Sequence, residues 1–365
     1  MQFADFDPDS FLRDHWQKSP CLIRNPWTHW SNPLDPDDLA GLACEDEIDS
    51  RLVINKRGDW KLRHGPIPEK AFAKLGKHPW TLLVQGVDRY VPEVAALRTP
   101  FGFIPDWRID DVMVSYASDG GGVGPHFDQY DVFLIQGLGT RRWQIGELCD
   151  AATPLLPHDD LRLLADFQPT EEWRLEPGDM LYIPPRIAHN GVAVGDDCMT
   201  YSIGFRAPSR ADLITHYADY LLESLPEDDR YTDPDLTRAA NPGEISAAAL
   251  DRLHTMLTDT LTDRAAFARW FGSYTTIPKN PVDNAQADPT PTLTRNPASR
   301  FAFIRPTPDT LTLFVDGVAF DCTGETASFA EQLCTNTPLP PAPAAATPLI
   351  NALLAQSSLI ARVHR

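Results

Sequence analysis

The chain has 365 residues, 42% of them hydrophobic, which predicts two or three domains with a sizeable core. Asp and Glu (51 residues) outnumber Lys and Arg (32 residues), and the formal net charge is −19. Such acidity disfavours binding to a phosphate backbone, which requires a positive surface, and favours a basic protein or peptide as partner. Solubility alone is the other explanation of the charge.

The six cysteines include no C-x-x-C pair, which excludes a common zinc-finger or thioredoxin motif. The opening MQFADFDPDS lacks the basic and apolar regions of a signal peptide. No run of about 18 apolar residues is long enough to cross a bilayer. We therefore expect a reduced, cytoplasmic protein without a membrane span.

The N-terminal part mixes predicted helices and strands. The pattern of residues 9–18 predicts a helix capped by Asp9 or Ser10, and a second helix is predicted after Asp35. Between them, CLIR is typical of a strand. RLVINKRGDWKLRHG predicts a hairpin that turns at Arg57, and TLLVQGVD predicts an apolar strand.

From Trp107 onward the pattern changes to short alternating strands. In DDVMVSY, the side chains of Asp111, Met113 and Ser115 share one face, which suits the wall of a polar pocket. GLGT predicts a turn, after which the apolar neighbours of Arg141 indicate that its side chain faces inward.

Later segments continue the strand pattern. EEWRLEPGDMLYIPP predicts a strand, a Pro-Gly turn and a strand, and NGVAV and MTYSIGFRA predict two further strands. Many short antiparallel strands with Gly and Pro turns indicate a barrel or jelly roll.

After Ala207 the pattern becomes helical. Ser209 and Asp212 predict a capping box at the start of a helix, and one or two more helices follow. Their apolar stripes require a partner, such as a second copy of the chain. The predicted domains are a β domain (1–207), a helical region (208–276), a Pro-rich linker (277–299) and a small α/β unit of winged-helix size (300–365).

A histidine and a carboxylate two positions apart, His126 and Asp128, can reach one metal ion from the same face of a strand. We expect His189 as the third ligand, with His158 as the rival. Two histidines and one carboxylate are typical of non-haem Fe(II) oxygenases. A zinc hydrolase could use the same ligand types. Arg141 favours iron, because an oxo-acid cosubstrate needs a fixed cation for its far carboxylate.

The preceding GGGVG lacks the following helix and the Lys-Ser/Thr of a phosphate-binding loop. We interpret it as a mobile loop beside the metal.

Several motifs together resemble the JmjC-domain ribosomal oxygenases: GPHFDQYDVFLIQG, RRW, PGDMLYIPP before the distal histidine, and YSIGFRAP. HWQKSP and PDWRIDD extend the similarity, which covers essentially the whole chain. It is strongest for the bacterial branch that hydroxylates an arginine of large-subunit ribosomal protein sixteen. The resemblance implies a mainly β fold with α-helices. It would have a double-stranded β-helix (cupin or jelly-roll) JmjC core, an α-helical dimerisation region and a small winged-helix-like C-terminal domain.

The resemblance also implies the reaction and its cofactors. Fe(II) is expected on His126, Asp128 and His189, and 2-oxoglutarate on Arg141 with help from Ser115. Dioxygen would complete the reaction, which hydroxylates the arginine Cβ and releases succinate and carbon dioxide.

The family's pocket for the substrate arginine maps onto Asp111, Met113, Tyr130 and Ser202. Tyr130 would share the face of His126 if that strand stays regular. A carboxylate and an aromatic face suit a guanidinium, through an ion pair and a cation–π contact. The expected partners are a basic large-subunit ribosomal protein and a second copy of the chain. We do not expect the acidic C-terminal unit to bind DNA directly.

Two other functions stay open. The same chemistry could act on another residue, such as histidine, or demethylate a methylated lysine. A cupin-like binding or regulatory module could hold its metal for structure alone. An inward Arg141 favours the enzyme, because a structural metal site does not need it.

Overall fold

The chain forms two compact units, Met1–Ala207 and Pro208–Arg365. The finer division of the second unit into a helical region, a linker and a winged-helix-like domain stays a prediction. The computed structural model describes residues 1–76, 78–238, 240–278, 292–335, 339 and 341–362.

Short helices begin the first unit. The first helix starts after Asp7, whose side chain accepts a hydrogen bond from the Asp9 backbone N–H. The predicted cap at Asp9 or Ser10 was therefore wrong, because Pro8 takes the first helical position and shifts the start. The cap at Asp35 was correct. The described α-helices of this unit are α1 (Pro8–Asp14), α2 (Pro36–Leu42), α3 (Glu69–Phe72) and α4 (Pro92–Ala95).

A nine-stranded antiparallel sheet dominates the first unit. The strands are β1 (Cys21–Ile23), β2 (Ser50–Lys56), β3 (Asp59–His64), β4 (Trp80–Val84), β5 (Ile109–Ala117), β6 (Val132–Leu148), β7 (Glu171–Leu175), β8 (Met180–Ile183) and β9 (Ile187–Phe205). Their order is β1-β8-β6-β9-β5-β4-β2-β3, with β7 paired to β6. The hairpin of β2 and β3 and the β7-turn-β8 segment are as the sequence predicts.

The long strands β6 and β9 pair with each other from Val132 opposite Gly204 to Leu148 opposite Ile187. The predicted turn at GLGT was wrong, since these residues lie inside β6. Likewise, NGVAV and MTYSIGFRA belong to the single strand β9. Irregular register between Gln136 and Thr140 bends the strand pair where a turn was expected.

The two faces of β6 bury different clusters. Phe133 packs against Phe11 of α1 and Tyr182 of β8, with ring centroids 5.2 and 5.0 Å away. Burial of such a side chain contributes about 1.5–3 kcal/mol. Val132 and Leu134 belong to a second apolar cluster on the opposite face. The candidate site lies on this second face.

The helices of the second unit follow the predicted pattern. Ser209 and Asp212 form the predicted capping box, with reciprocal side-chain-to-backbone hydrogen bonds. The long helical stretch divides into two helices because the Asp263 side chain caps a new start. The helices are α5 (Arg210–Leu222), α6 (Ala247–Leu261) and α7 (Arg264–Thr276).

The rest of the unit combines two small sheets and two helices, with its own apolar core. The elements are β10 (Thr292–Arg295), β11 (Phe301–Thr307), β12 (Thr310–Val315), β13 (Val318–Thr323), α8 (Gly324–Leu333), α9 (Thr347–Ala355) and β14 (Leu359–Arg362). β11, β12 and β13 form one sheet, and β10 pairs with β14.

The structure describes only the two ends of the predicted linker 277–299. Residues 279–291 lie outside the described part of the chain. The strand β10 lies within the predicted linker, because backbone pairing with β14 orders this segment. The strand β13 also escaped prediction, although Asp316-Gly317 before it is a typical hairpin turn in which both residues have positive φ.

Among the described residues, no helix has the length and apolar character needed to span a bilayer.

Candidate active site

Three side chains from two segments, one before β6 and one in β9, converge on one point. His126, Asp128 and His189 each offer a ligand atom, and these atoms lie within 4.8 Å of one another. His189 Nε2 and Asp128 Oδ2 are 3.7 Å apart. The rings of the two histidines have centroids 4.3 Å apart. The structure thus brings together the three residues predicted from the sequence, and two nitrogens with one carboxylate form a donor set that suits a divalent transition metal.

Backbone hydrogen bonds hold this cluster. The His126 N–H donates to His189 O at 3.0 Å, and the His189 N–H donates to His126 O at 2.8 Å. The Arg186 N–H donates to Asp128 O at 2.6 Å. Residues 127–130 form no strand, so the predicted regular strand through this motif was wrong. A single bridge to β9 ends at His126, and the loop at Arg186 takes over the pairing of the Asp128 backbone.

Hydrogen bonds also orient both imidazoles. His126 Nδ1 lies 2.8 Å from Gly124 O, and His189 Nδ1 lies 2.9 Å from Ile187 O. A carbonyl only accepts, so Nδ1 carries the proton and the Nε2 lone pair is left for a metal.

His189 is only 3% exposed. Burial, followed by the nearby His126, lowers the pKa of His189 to about 4. Its imidazole is therefore neutral at pH 7, which is the form that binds metal.

The rival ligand His158 has a different role. Its Nε2 lies 3.2 Å from Trp60 O. Its Nδ1 accepts from the backbone N–H groups of Asp160 and Leu161, both at 3.0 Å. Because both ring nitrogens are engaged with the backbone, this histidine organises its loop.

The glycine loop before His126 packs directly on β9. Gly120 N–H donates to Ala193 O at 3.0 Å, and the Ala193 N–H donates to Gly121 O at 2.8 Å. A Cβ atom on Gly122 would lie 2.4 Å from Gly191 O. Glycine therefore permits a close approach of two backbones beside the site. The expected mobile loop is instead a hydrogen-bonded and largely buried segment.

Arg141 faces the interior, as the sequence predicts. It is 4% exposed, whereas the side chain of Arg142 is 35% exposed and bonds Glu172. Arg141 Nε donates to Cys198 Sγ at 3.4 Å, but its Nη2 is buried with no hydrogen-bond partner among the described residues. An unmet buried donor costs about 1–3 kcal/mol, so this guanidinium fits a bound carboxylate.

Ser115 lies on β5 directly opposite Thr200 of β9 and is buried. The Thr200 hydroxyl donates to Gln136 Oε1 at 3.2 Å, and Gln136 Nε2 lies 3.4 Å from Cys198 Sγ. Arg141 contacts the same sulfur. This buried polar chain therefore connects the surroundings of Ser115 with those of Arg141. Gln136 and Cys198 were not singled out from the sequence, because an isolated polar residue in an apolar strand gives no distinct signal.

The four residues expected to bind the substrate arginine lie on neighbouring segments. Asp111 and Ser202 are 5% and 8% exposed, and Ser202 pairs with Met113 across β5 and β9. Tyr130 lies beside Gly204 and is 43% exposed. Partial desolvation of the Tyr130 side chain, followed by the nearby Asp128 and Asp111 carboxylates, raises the pKa of Tyr130.

Gln85 is a further residue of this region. Its Nε2 donates to both carboxylate oxygens of Asp111, at 3.0 and 2.8 Å. Its Oε1 accepts from Arg51 Nη2 at 3.2 Å. The only signal in the sequence is a glutamine at the end of the apolar strand TLLV. Gln85 therefore orients Asp111 and is itself held by Arg51.

Comparisons with known proteins agree with this arrangement. The JmjC domain family matches residues 96–213. The chain is 43% identical to the ribosomal protein uL16 3-hydroxylase of Escherichia coli K12, over 77% of this chain and 74% of that protein. It is 46% identical to a probable ribosomal oxygenase of Haemophilus influenzae, over 57% of this chain and 51% of that protein.

Solved structures show the same similarity. The Escherichia coli ribosomal oxygenase YcfD in complex with cobalt and 2-oxoglutarate has a TM-score of 0.84 at 33% identity, covering 98% of this chain and 99% of that chain. A further YcfD structure has a TM-score of 0.87 at 34% identity, covering 99% and 100% of the two chains. The predicted mainly β, cupin-like JmjC core with added helices is confirmed. This chain belongs to the JmjC-domain ribosomal oxygenases.

Proposed function

We propose that this chain is an Fe(II)- and 2-oxoglutarate-dependent protein hydroxylase that acts on an arginine of ribosomal protein uL16. The observation that carries the proposal is the combination of a His-Asp-His cluster with a buried guanidinium that lacks a full set of partners. The similarity to a uL16 3-hydroxylase supports the substrate. The net charge of −19 suits a basic ribosomal protein.

His126, Asp128 and His189 would hold the metal through two Nε2 atoms and a carboxylate oxygen. Bound Fe(II), with 2-oxoglutarate and dioxygen, supplies the oxidation that converts a C–H bond into C–OH with release of succinate and carbon dioxide. The protein holds the ligands in place through the two hydrogen bonds between His126 and His189. The burial of His189 excludes water from one side of the site.

Arg141 would bind the far carboxylate of 2-oxoglutarate, with Ser115 as a second donor. The planar guanidinium can make two parallel hydrogen bonds to a carboxylate. Arg141 already uses Nε on Cys198, and Nη2 is the buried donor that a carboxylate would satisfy.

Asp111, Met113, Tyr130 and Ser202 would receive the substrate arginine and present its Cβ to the metal. The Asp111 carboxylate offers an ion pair, and the half-exposed Tyr130 ring offers a cation–π contact of about 0.5–2 kcal/mol. Gln85 would keep the carboxylate turned toward the guanidinium.

The test is mass spectrometry of an arginine-containing uL16 peptide after incubation with the protein, Fe(II), ascorbate and 2-oxoglutarate. We expect the peptide to gain the mass of one oxygen atom on arginine, and succinate to form in equal amount. Ala variants of His126, Asp128 or His189 should lose metal and turnover, whereas His158→Ala should retain metal.

Other outcomes separate the alternatives. Succinate without peptide oxidation would discard uL16 and keep the oxygenase. Oxidation of a histidine, or loss of a methyl group from lysine, would identify another substrate residue. Neither product, from protein shown to hold both metal and 2-oxoglutarate, would support a binding or regulatory module.

A homodimer accompanies this proposal. Helix α6 exposes four leucines on one stripe, namely Leu250, Leu253, Leu257 and Leu261, at 54%, 45%, 63% and 49%. A second copy would cover this stripe. Light scattering should give twice the mass of one chain for the wild type and the mass of a single chain for Leu257→Asp. Leu236→Asp, at an exposed leucine outside α6, is the control. A wild-type mass of one chain would reject the dimer.

Action on a ribosomal protein would take place in the cytoplasm. All six cysteines lie within the described residues and are present as thiols, which agrees with a reducing compartment. The C-terminal winged-helix-like unit would contribute no direct DNA contact.

A further inference from the structure

Trp143 lies between the metal-ligand cluster and the buried guanidinium. Its ring centroid is 5.9 Å from that of His189, and Arg141 Cζ lies 5.8 Å from the Trp143 ring. Because successive side chains of a strand alternate in direction, Arg141, Trp143 and Ile145 share one face of β6. Across the strand pair, Ile145 is opposite His189 and Trp143 is opposite Gly191. The indole therefore lies between Arg141 and His189 along this face of the strand pair.

The indole N–H of Trp143 is a buried donor without a hydrogen-bond partner among the described residues. Trp143 is 5% exposed, and its Nε1 has no hydrogen-bond partner among the described residues. Buried tryptophan usually finds a partner for this donor. Four buried side-chain polar atoms in the described part of the chain lack one: Thr81 Oγ1, Arg141 Nη2, Trp143 Nε1 and Ser299 Oγ.

Packing holds the ring in position. A Cβ atom on Gly191 would meet Trp143 Cη2 and Cζ3 at 2.6 Å and Cε3 at 2.9 Å. These atoms belong to the six-membered ring, on the edge opposite the indole nitrogen. Glycine at position 191 thus admits the ring and leaves the nitrogen edge away from this contact. Apolar side chains, including Leu175 and Leu181, form the rest of the cluster around Trp143.

We propose that Trp143 is a cosubstrate-binding residue whose indole N–H donates a hydrogen bond to bound 2-oxoglutarate. This inference rests on the proposed function. A dicarboxylate that reaches from the metal to Arg141 passes the Trp143 indole and offers oxygen acceptors along its length. The site then satisfies two buried donors with one ligand, Arg141 Nη2 at the far carboxylate and Trp143 Nε1 along the way.

The test uses protein loaded with Zn(II), which supports binding without turnover. Calorimetry measures the Kd of 2-oxoglutarate for the wild type, for Trp143→Phe, and for Trp173→Phe as control. Phe keeps an aromatic ring and removes the N–H. Trp173 lies opposite Trp143 on β7 and is half-buried in the same cluster. Loss of a hydrogen bond to a charged ligand should raise Kd roughly 10- to 100-fold in Trp143→Phe. The Kd for Trp173→Phe should stay within about twofold of the wild-type Kd, which is the size of the usual additivity error between independent substitutions.

A second readout reports on the N–H itself. In a ¹H–¹⁵N spectrum of the Zn(II) protein, the indole resonance that disappears in Trp143→Phe belongs to Trp143. We expect it to move downfield on addition of 2-oxoglutarate. An unmoved resonance together with an unchanged Kd in Trp143→Phe would overturn this inference alone. Equal weakening by the control would assign the effect to packing and also overturn it. Wild-type protein that binds no 2-oxoglutarate would overturn the proposed function as well.

Discussion

Replacing Arg141 by Met should separate cosubstrate binding from folding. The side chain is 4% exposed and its Nη2 lacks a partner among the described residues. A hydrogen bond to a charged group contributes about 1.5–3 kcal/mol, and each 1.4 kcal/mol is tenfold in Kd. Loss of the guanidinium should therefore raise the Kd of 2-oxoglutarate at least tenfold.

The same substitution should not destabilise the metal-free protein. A buried charge without full compensation is costly, and a well-packed apolar side chain of similar size is often neutral or better. Among the described residues, the substitution removes the hydrogen bond to Cys198 Sγ, at 3.4 Å, and the cation–π contact with the Trp143 ring. We expect the Tm of the metal-free Arg141→Met variant to equal or exceed that of the wild type.

Calorimetric titration of the Zn(II)-loaded protein and thermal melting of the metal-free protein measure the two effects. Arg142→Met is the matched control, because this neighbour lies half-exposed beside Glu172 and an exposed ion pair contributes little. In Arg142→Met, the Kd of 2-oxoglutarate and the Tm of the metal-free protein should both be unchanged. An unchanged Kd in Arg141→Met would refute the anchoring role, and a large fall in Tm would show that the guanidinium serves the fold.

Three further predictions concern pH, substrate and metal. The lowered pKa of His189, about 4 against an ordinary 6.5, means that the unfolded chain takes up this proton first as pH falls. The metal-free protein should therefore lose stability as the pH falls from 6.5 to 4. Thermal melts should show that Tm depends less on pH in His189→Gln than in the wild type. Equal slopes of Tm against pH in the two proteins would contradict this. Gln85→Leu removes the hydrogen bonds that Gln85 donates to Asp111 and should weaken binding of the uL16 peptide about tenfold while the Kd of 2-oxoglutarate stays the same. Unaltered peptide affinity would reject that positioning role. Removal of metal by a chelator should leave the far-UV circular dichroism unchanged, because backbone hydrogen bonds already hold His126 against His189; a loss of signal would mean that the metal builds the site.

The His-Asp-His cluster and the inward Arg141 could be predicted from the sequence because their chemistry is specific. His126, Asp128 and His189 are ligand types at a suitable spacing, and Arg141 is a cation among apolar residues in a strand. Such residues are costly to bury without a function. The structure brings these three side chains together and buries Arg141.

Other parts of the site could not be predicted, because they depend on tertiary contacts. The backbone of residues 127–130 follows a path set by the Arg186 N–H, which bonds Asp128 O from a distant loop. The pairing of Gln85 with Asp111 joins two strands. The unmet donor of Trp143 is defined by what surrounds the ring, and the residue type alone predicts only a core aromatic.

The irregular middle of β6 decides which face receives Arg141. Before it, the even-numbered Val132 and Leu134 lie in the same cluster as Trp143 and Ile145, which are odd-numbered. Regular alternation cannot place both sets on one face, since a shift of one residue turns every side chain over. Register shifts between Gln136 and Thr140 make this change of phase.

A glycine makes the irregularity possible. Gly139 has a φ of 61°, and a Cβ there would meet Asp197 O at 2.7 Å. The sequence shows the same change of phase and the same glycines, and a turn between two strands was the simpler interpretation. Unlike a turn, the bulge keeps β6 paired with β9 on both sides of the bend. Arg141 therefore faces inward from the same strand pair that holds His189, and the two side chains keep a fixed separation along it.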